Sequence, residues 1–71
     1  MYLVLGRQNC TFCDKAKELL EFDGLDYVYV DIMDKPELKD ILVEQINVRT
    51  VPQVFKLVGG YDHLKVSLDG E

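Results

Sequence analysis

This 71-residue chain contains two cysteines, and both fall in one short stretch, Cys10-Thr11-Phe12-Cys13. A C-x-x-C spacing lets two thiols close a small ring, so the pair can pass between a disulfide and two thiols with the gain or loss of two electrons. Attack on another disulfide requires a thiolate, yet an ordinary cysteine with a pKa of about 8.5 is only a few per cent ionised at neutral pH. A helix starting at the motif would correct this. Its unpaired amides and its dipole favour an anion at Cys10, whereas Cys13 lies within the first turn and is expected to be more enclosed. A lowering of about three pKa units amounts to roughly 4 kcal/mol in favour of the thiolate. Cys10 is therefore expected to attack first and Cys13 to resolve the mixed disulfide. The ring is too short to restrain the unfolded chain, which argues against a structural staple. Zinc asks for four ligands, and the two cysteines with the single His63 supply three, so no metal ligand is assigned within one chain. Two copies could pool their cysteines around zinc or an iron–sulfur cluster, and such a dimeric binding module is the competing class.

The elements around the motif are legible from periodicity. Tyr2-Leu3-Val4-Leu5 is an apolar run without polar alternation, read as a strand buried on both faces and ended by Gly6. From Thr11, the residues Phe12, Ala16, Leu19 and Leu20 recur at helical spacing, with Lys17 and Glu21 placed to pair on the wet side. The N-cap is either Thr11, in a capping box with Asp14, or Cys10, and Asp23-Gly24 is the stop. Tyr27-Val28-Tyr29-Val30 reads as a second strand. Pro36 suits the first position of a second helix, with Leu38, Ile41, Leu42 and Ile46 as its inward stripe. Val48-Arg49-Thr50 is a connector, Val54 to Val58 a third strand with a tight turn inside it, and Asp62 to Leu68 a short terminal helix after Gly59-Gly60. The order β-α-β-α-β, a small β element and a final helix implies parallel pairing of the first two strands through a right-handed crossover. The cysteines then lie at the carboxyl end of the first strand, where open α/β sheets place their chemistry.

With 13 acidic and 8 basic side chains, a net charge of -5 and 48% apolar residues, the chain suits one domain spanning residues 1–71. Its cations form no run, so neither nucleic acid nor an anionic membrane is expected as a partner. No apolar stretch approaches the roughly 18 residues needed to cross a bilayer, and no charged leader with an apolar run precedes the motif. The cytoplasm is the expected compartment.

Three segments together, Arg7-x-x-Cys10-Thr11-Phe12-Cys13, Thr50-Val51-Pro52-Gln53-Val54-Phe55 and Gly59-Gly60-Tyr61-Asp62, resemble a small glutaredoxin of the dithiol class. The resemblance implies a thioredoxin-like, three-layer α/β/α sandwich with a small mixed sheet. It implies reduction of protein disulfides or glutathione mixed disulfides, with glutathione as reducing cosubstrate and no tightly bound cofactor. Cys10 corresponds to the nucleophile and Cys13 to the resolving thiol. By the same resemblance Pro52 would follow a cis bond, and Val51 would present its backbone to a peptide-like substrate. The resemblance further implies that Arg7 attracts a glutathione carboxylate or steadies the thiolate, that Gly60 and Tyr61 offer backbone nearby, and that Asp62 receives the γ-glutamyl ammonium; as a bare sequence feature Asp62 equally caps the last helix. Arg49 and Gln53 flank Thr50 and shape its polar rim. The residues placed at the glutathione site are thus Arg7, Thr11, Phe12, Arg49, Thr50, Val51, Pro52, Gly60, Tyr61 and Asp62.

The sequence departs from the family pattern at three places. Thr11 stands where proline is common, Phe12 stands where many relatives have tyrosine, and only Lys56-Leu57-Val58 separates Phe55 from Gly59. The last departure predicts a shortened or nearly absent fourth strand and bears on the placement of Asp62. Expected partners are glutathione and disulfide-containing proteins, with ribonucleotide reductase as a family-level substrate, and the expected state is a monomer. Recharging by a thioredoxin reductase is the alternative electron source.

Overall fold

In the computed structural model, which describes residues 1–69, five-residue β1 (Tyr2–Gly6) leads through a turn into α1 (Thr11–Phe22). There follow β2 (Tyr27–Asp31), α2 (Pro36–Asp40) running into a π-helical segment (Ile41–Ile46), β3 (Gln53–Lys56) and α3 (Tyr61–Asp69). The last two residues of the expected domain lie outside the described residues.

The sheet order is β2-β1-β3. β1 and β2 are parallel, from Tyr2 opposite Tyr27 to Gly6 opposite Asp31, and β3 runs antiparallel to β1 with Val54 opposite Val4. The third strand is shorter than expected. No fourth strand forms among the described residues, because Leu57 to Gly59 leads directly from β3 toward α3.

Register decides what each face buries. Val4, Gly6 and Tyr29 share the face covered by α1, where Cys13 and Leu20 are buried. Leu5 points to the other face and forms a cluster with Ile32 and Leu42, flanked by Val30, Leu38, Val48 and Val51. Helices thus lie on both faces, as in the expected three-layer arrangement. Burial of β1 is less complete than its apolar run suggested, since Leu3 is partly exposed while Val4 and Leu5 are enclosed.

Two inward stripes also differ from expectation. In α1, a start at Cys10 turns Cys13, Ala16 and Leu20 toward the sheet, at spacings of three and four, and leaves Phe12 and Leu19 exposed. In the second helix, the wider π segment turns Leu42 inward, Leu38 is half-buried, and Ile41 and Ile46 remain exposed. Asn47 closes that segment in the left-handed conformation (φ 62°), and the Val48 N–H donates to the Leu42 carbonyl at 2.9 Å.

At the end of α1, Gly24 adopts φ 70° and the Leu25 N–H reaches the Leu20 carbonyl at 2.9 Å, which is the stop read from Asp23-Gly24. Lys17 lies 3.6 Å from Asp14 rather than pairing with Glu21. Glu21 instead accepts a hydrogen bond from the Tyr27 hydroxyl, which holds the phenol proton and raises the Tyr27 pKa. α3 starts one residue before Asp62, with the Leu64 N–H bonded to the Gly60 carbonyl at 3.0 Å. Asp62 is therefore a first-turn acid rather than the cap, and every described residue of α3 is exposed.

Candidate active site

A turn at Gln8-Asn9, with Asn9 at φ 55°, carries the chain from β1 to the helix start. Asparagine tolerates this left-handed conformation better than most side chains. The next residue, Cys10, is extended (φ -119°, ψ 107°) and serves as the N-cap of α1: its sulfur accepts the Cys13 N–H at 3.1 Å and its carbonyl accepts the Asp14 N–H at 3.1 Å. Of the two caps read from the sequence, the structure selects the cysteine. The consequence is electrostatic, since the sulfur sits where unpaired amides and the helix dipole favour negative charge. Cys10 and Cys13 form a disulfide with their Cα atoms 5.2 Å apart. Cys10 is half-buried, whereas Cys13 has 0% exposure.

Thr11 and Phe12 are exposed beside the pair, and the Lys15 ammonium lies 5.3 Å from the Phe12 ring centroid. The Val51–Pro52 bond is cis. Neither the N–H nor the carbonyl of Val51 has a backbone partner among the described residues, so both are free to meet a ligand. Gln53 braces this segment: its side-chain amide donates to the Thr50 carbonyl at 2.8 Å and to the Thr50 hydroxyl at 3.2 Å.

Arg7, Arg49, Thr50 and Val51 come together as the wall of a cleft of about 340 Å3, together with Ile32, Met33 and Lys39. Lys39 went unread in the sequence, where nothing in its spacing sets it apart from any other exposed helical lysine. Asp62 lies elsewhere, in a groove of about 420 Å3 between the end of β3 and α3, lined also by Lys56, Leu57 and His63. Gly60 and Tyr61 are exposed at the start of that helix.

Gly6 and Tyr29 were also missed as site residues. A methyl group on Gly6 would collide with the Tyr29 hydroxyl and would stand 2.8 Å from Tyr29 Cζ and 2.9 Å from Cys13 Sγ. Glycine is required here by close approach, not by backbone angle. Gly6→Ala is expected to cost about 1–3 kcal/mol by overpacking, which at this chain length lowers Tm by about 4–8 °C per kcal/mol. Thermal melts followed by circular dichroism check this, and an unchanged Tm would show that the ring and sulfur make room freely.

Residues 2–60 match the family model described as glutaredoxin. The chain belongs to the glutaredoxin family. It is 36% identical over 69 residues to glutaredoxin 1 of Shigella flexneri, covering 83% of this chain and 81% of that protein. A probable monothiol glutaredoxin of Legionella pneumophila is 34% identical over 57 residues, covering 76% of this chain and 64% of that one, so this glutaredoxin spans less than two thirds of that relative. Among solved structures, the buckwheat glutaredoxin–glutathione complex superposes with a TM-score of 0.69 at 28% identity, over 97% of this chain and 69% of that one. The family and the Cys10–Cys13 pair together support thiol–disulfide oxidoreductase chemistry at this site. Among the described residues, no three His, Cys, Asp or Glu side chains gather as a metal site, and no helix is long and apolar enough to cross a membrane.

Proposed function

We propose that this glutaredoxin reduces protein disulfides and glutathione mixed disulfides through Cys10 and Cys13, with glutathione as reducing cosubstrate. The observation that carries this reading is the unequal exposure of the two cysteines, with Cys10 half-buried and Cys13 0% exposed. An incoming disulfide meets the Cys10 thiolate, which attacks one of its sulfurs, while the other leaves as a thiolate and takes a proton from water. The Cys13 thiolate then attacks Cys10 Sγ, expels the second substrate sulfur and forms the internal disulfide. Two glutathione thiolates, acting in turn, restore the dithiol and leave as glutathione disulfide, so two electrons pass per cycle.

Glutathione is favoured as the electron source by the charge of the cleft. Arg7, Lys39 and Arg49 surround it, and guanidinium groups suit carboxylates in a bidentate fork. The open N–H and carbonyl of Val51 suit the peptide backbone of the same ligand, as in pairing with an added strand. One observation favours a second reading. Asp62 lines a different groove, so its carboxylate is not among the groups gathered around this cleft, and a donor recharged by thioredoxin reductase has no need of it.

A pair of coupled assays separates the two. Reduction of a glutathione mixed disulfide and of a protein disulfide, with ribonucleotide reductase as one protein substrate, is followed with glutathione and its reductase or with thioredoxin reductase. Turnover is expected with glutathione. Turnover with thioredoxin reductase alone would transfer the electron source to the second reading. The chain is proposed to act as a monomer in the cytoplasm, where a reducing thiol pool keeps such disulfides transient.

A further inference from the structure

The enclosed sulfur of Cys13 poses a problem that half-buried Cys10 does not. Resolution requires Cys13 to become a thiolate, and with 0% exposure that anion forms without a water shell. Some group of the protein must donate to it. Cys13 Sγ and the Tyr29 hydroxyl both border the same methyl-sized space over Gly6. With the disulfide closed, that hydroxyl donates to the Arg7 carbonyl at 3.1 Å. A phenol has one proton to donate, and a hydrogen bond to an anion is roughly twice as strong as one to a neutral acceptor.

The ring is held from above as well. Lys17 Nζ stands 4.3 Å from the Tyr29 centroid, a cation–π contact that favours this placement of the ring. The charged group in contact with Tyr29 is Lys17 from α1, with Asp14 3.6 Å from that ammonium, while Val4 opposite it on β1 is apolar. Glu21 is occupied by Tyr27, two positions along the same strand face.

We propose that Tyr29 is the hydrogen-bond donor of the resolving step: its hydroxyl leaves the Arg7 carbonyl and turns to the Cys13 thiolate as that thiolate attacks Cys10. Cys13 Sγ–H releases its proton to solvent, the new Cys10–Cys13 bond forms, the bond from Cys10 to substrate sulfur breaks, and the departing sulfur carries away the electron pair. Tyr29 keeps its own proton throughout. Its work ends when the internal disulfide closes, and the hydroxyl returns to the carbonyl seen here. The inference rests on Cys13 acting as the resolving thiol.

The test uses Ellman's reagent in stopped flow on the reduced protein. Attack by Cys10 releases one coloured thiolate, and attack by Cys13 on the resulting mixed disulfide releases a second. Lowering the pH across the range from about 9 to 5 slows the second phase more than the first and so separates them, because the buried thiol ionises less readily. Tyr29→Phe keeps the ring over Gly6 and removes only the hydroxyl. Its first phase is expected to stay within about twofold of the parent, and its second to slow about tenfold or more with its pH profile displaced to the alkaline side. Lys17→Met, which leaves the hydroxyl in place, is expected to show part of the same displacement. A second phase unaltered in Tyr29→Phe would overturn the proposal, and so would an equal slowing of both phases accompanied by a lower Tm, which is what a packing role alone predicts. Absence of any second phase in the parent protein would instead sink the resolving role of Cys13 itself.

Discussion

Cys10→Ser is expected to abolish reduction of every disulfide substrate, with a fall of at least about a hundredfold that leaves only background exchange, because a serine hydroxyl has no activating base here and does not form the nucleophilic anion. Cys13→Ser is expected to behave differently. The mixed disulfide formed at Cys10 can still be cleared by a second glutathione, so turnover of small glutathione mixed disulfides should stay within about tenfold of the parent, whereas protein disulfide reduction should collapse for want of a resolving thiol. The asymmetry follows from placement: Cys10 is the half-buried cap of α1 and Cys13 is enclosed beneath it. Steady-state rates with the two substrate classes measure it. An active Cys10→Ser protein would reverse the assignment. Since a serine at position 13 buries a hydroxyl in place of a thiol, at about 1–3 kcal/mol if unpaired, thermal melts of both variants accompany the rates.

Leu42→Ala is the change expected to weaken the fold most. Its side chain is 4% exposed at the centre of the cluster with Leu5 and Ile32, and truncation of such a leucine costs about 2–5 kcal/mol. Domains of this size hold roughly 0.05–0.15 kcal/mol per residue, so the loss would be a large share of the total. Ile46→Ala, on the same expected stripe but 51% exposed, should change stability by no more than about 0.5 kcal/mol. Urea titration of the pair reads the difference directly. Equal losses would mean that the π segment packs in the register of an ordinary helix.

That pair of residues also shows where reading the sequence stopped short. Leu38, Ile41, Leu42 and Ile46 form an inward stripe at 3.6 residues per turn, but a π-helical segment changes the rotation per residue, and no local signal announces it. Phe12 and Leu19 failed as core residues for a related reason. Both are apolar and near the right spacing, yet the face that meets the sheet is set by the angle at which α1 leaves Cys10. The weakness of the fourth strand, which does not form among the described residues, was by contrast visible as a shortage of chain, since only three residues lie between Phe55 and Gly59.

Adjacent residues made the dithiol, the helix that begins at it, the stop at Asp23-Gly24 and the order of the elements legible. Each depends on interactions spanning only a few positions, and these are written into spacing. The parallel pairing of the first two strands followed from that order, but its register was left to the folded chain. Parallel pairing of β1 and β2 brings Tyr29 over Gly6 and beside Cys13, and the loop ahead of β3 brings Arg49 and Val51 to the cleft lined by Arg7 and Lys39. The cysteines could be found from their spacing. Which side chains approach them, and which groove Asp62 lines, depended on the register and the crossovers, because electrostatics and hydrogen bonding act through space and are blind to sequence distance.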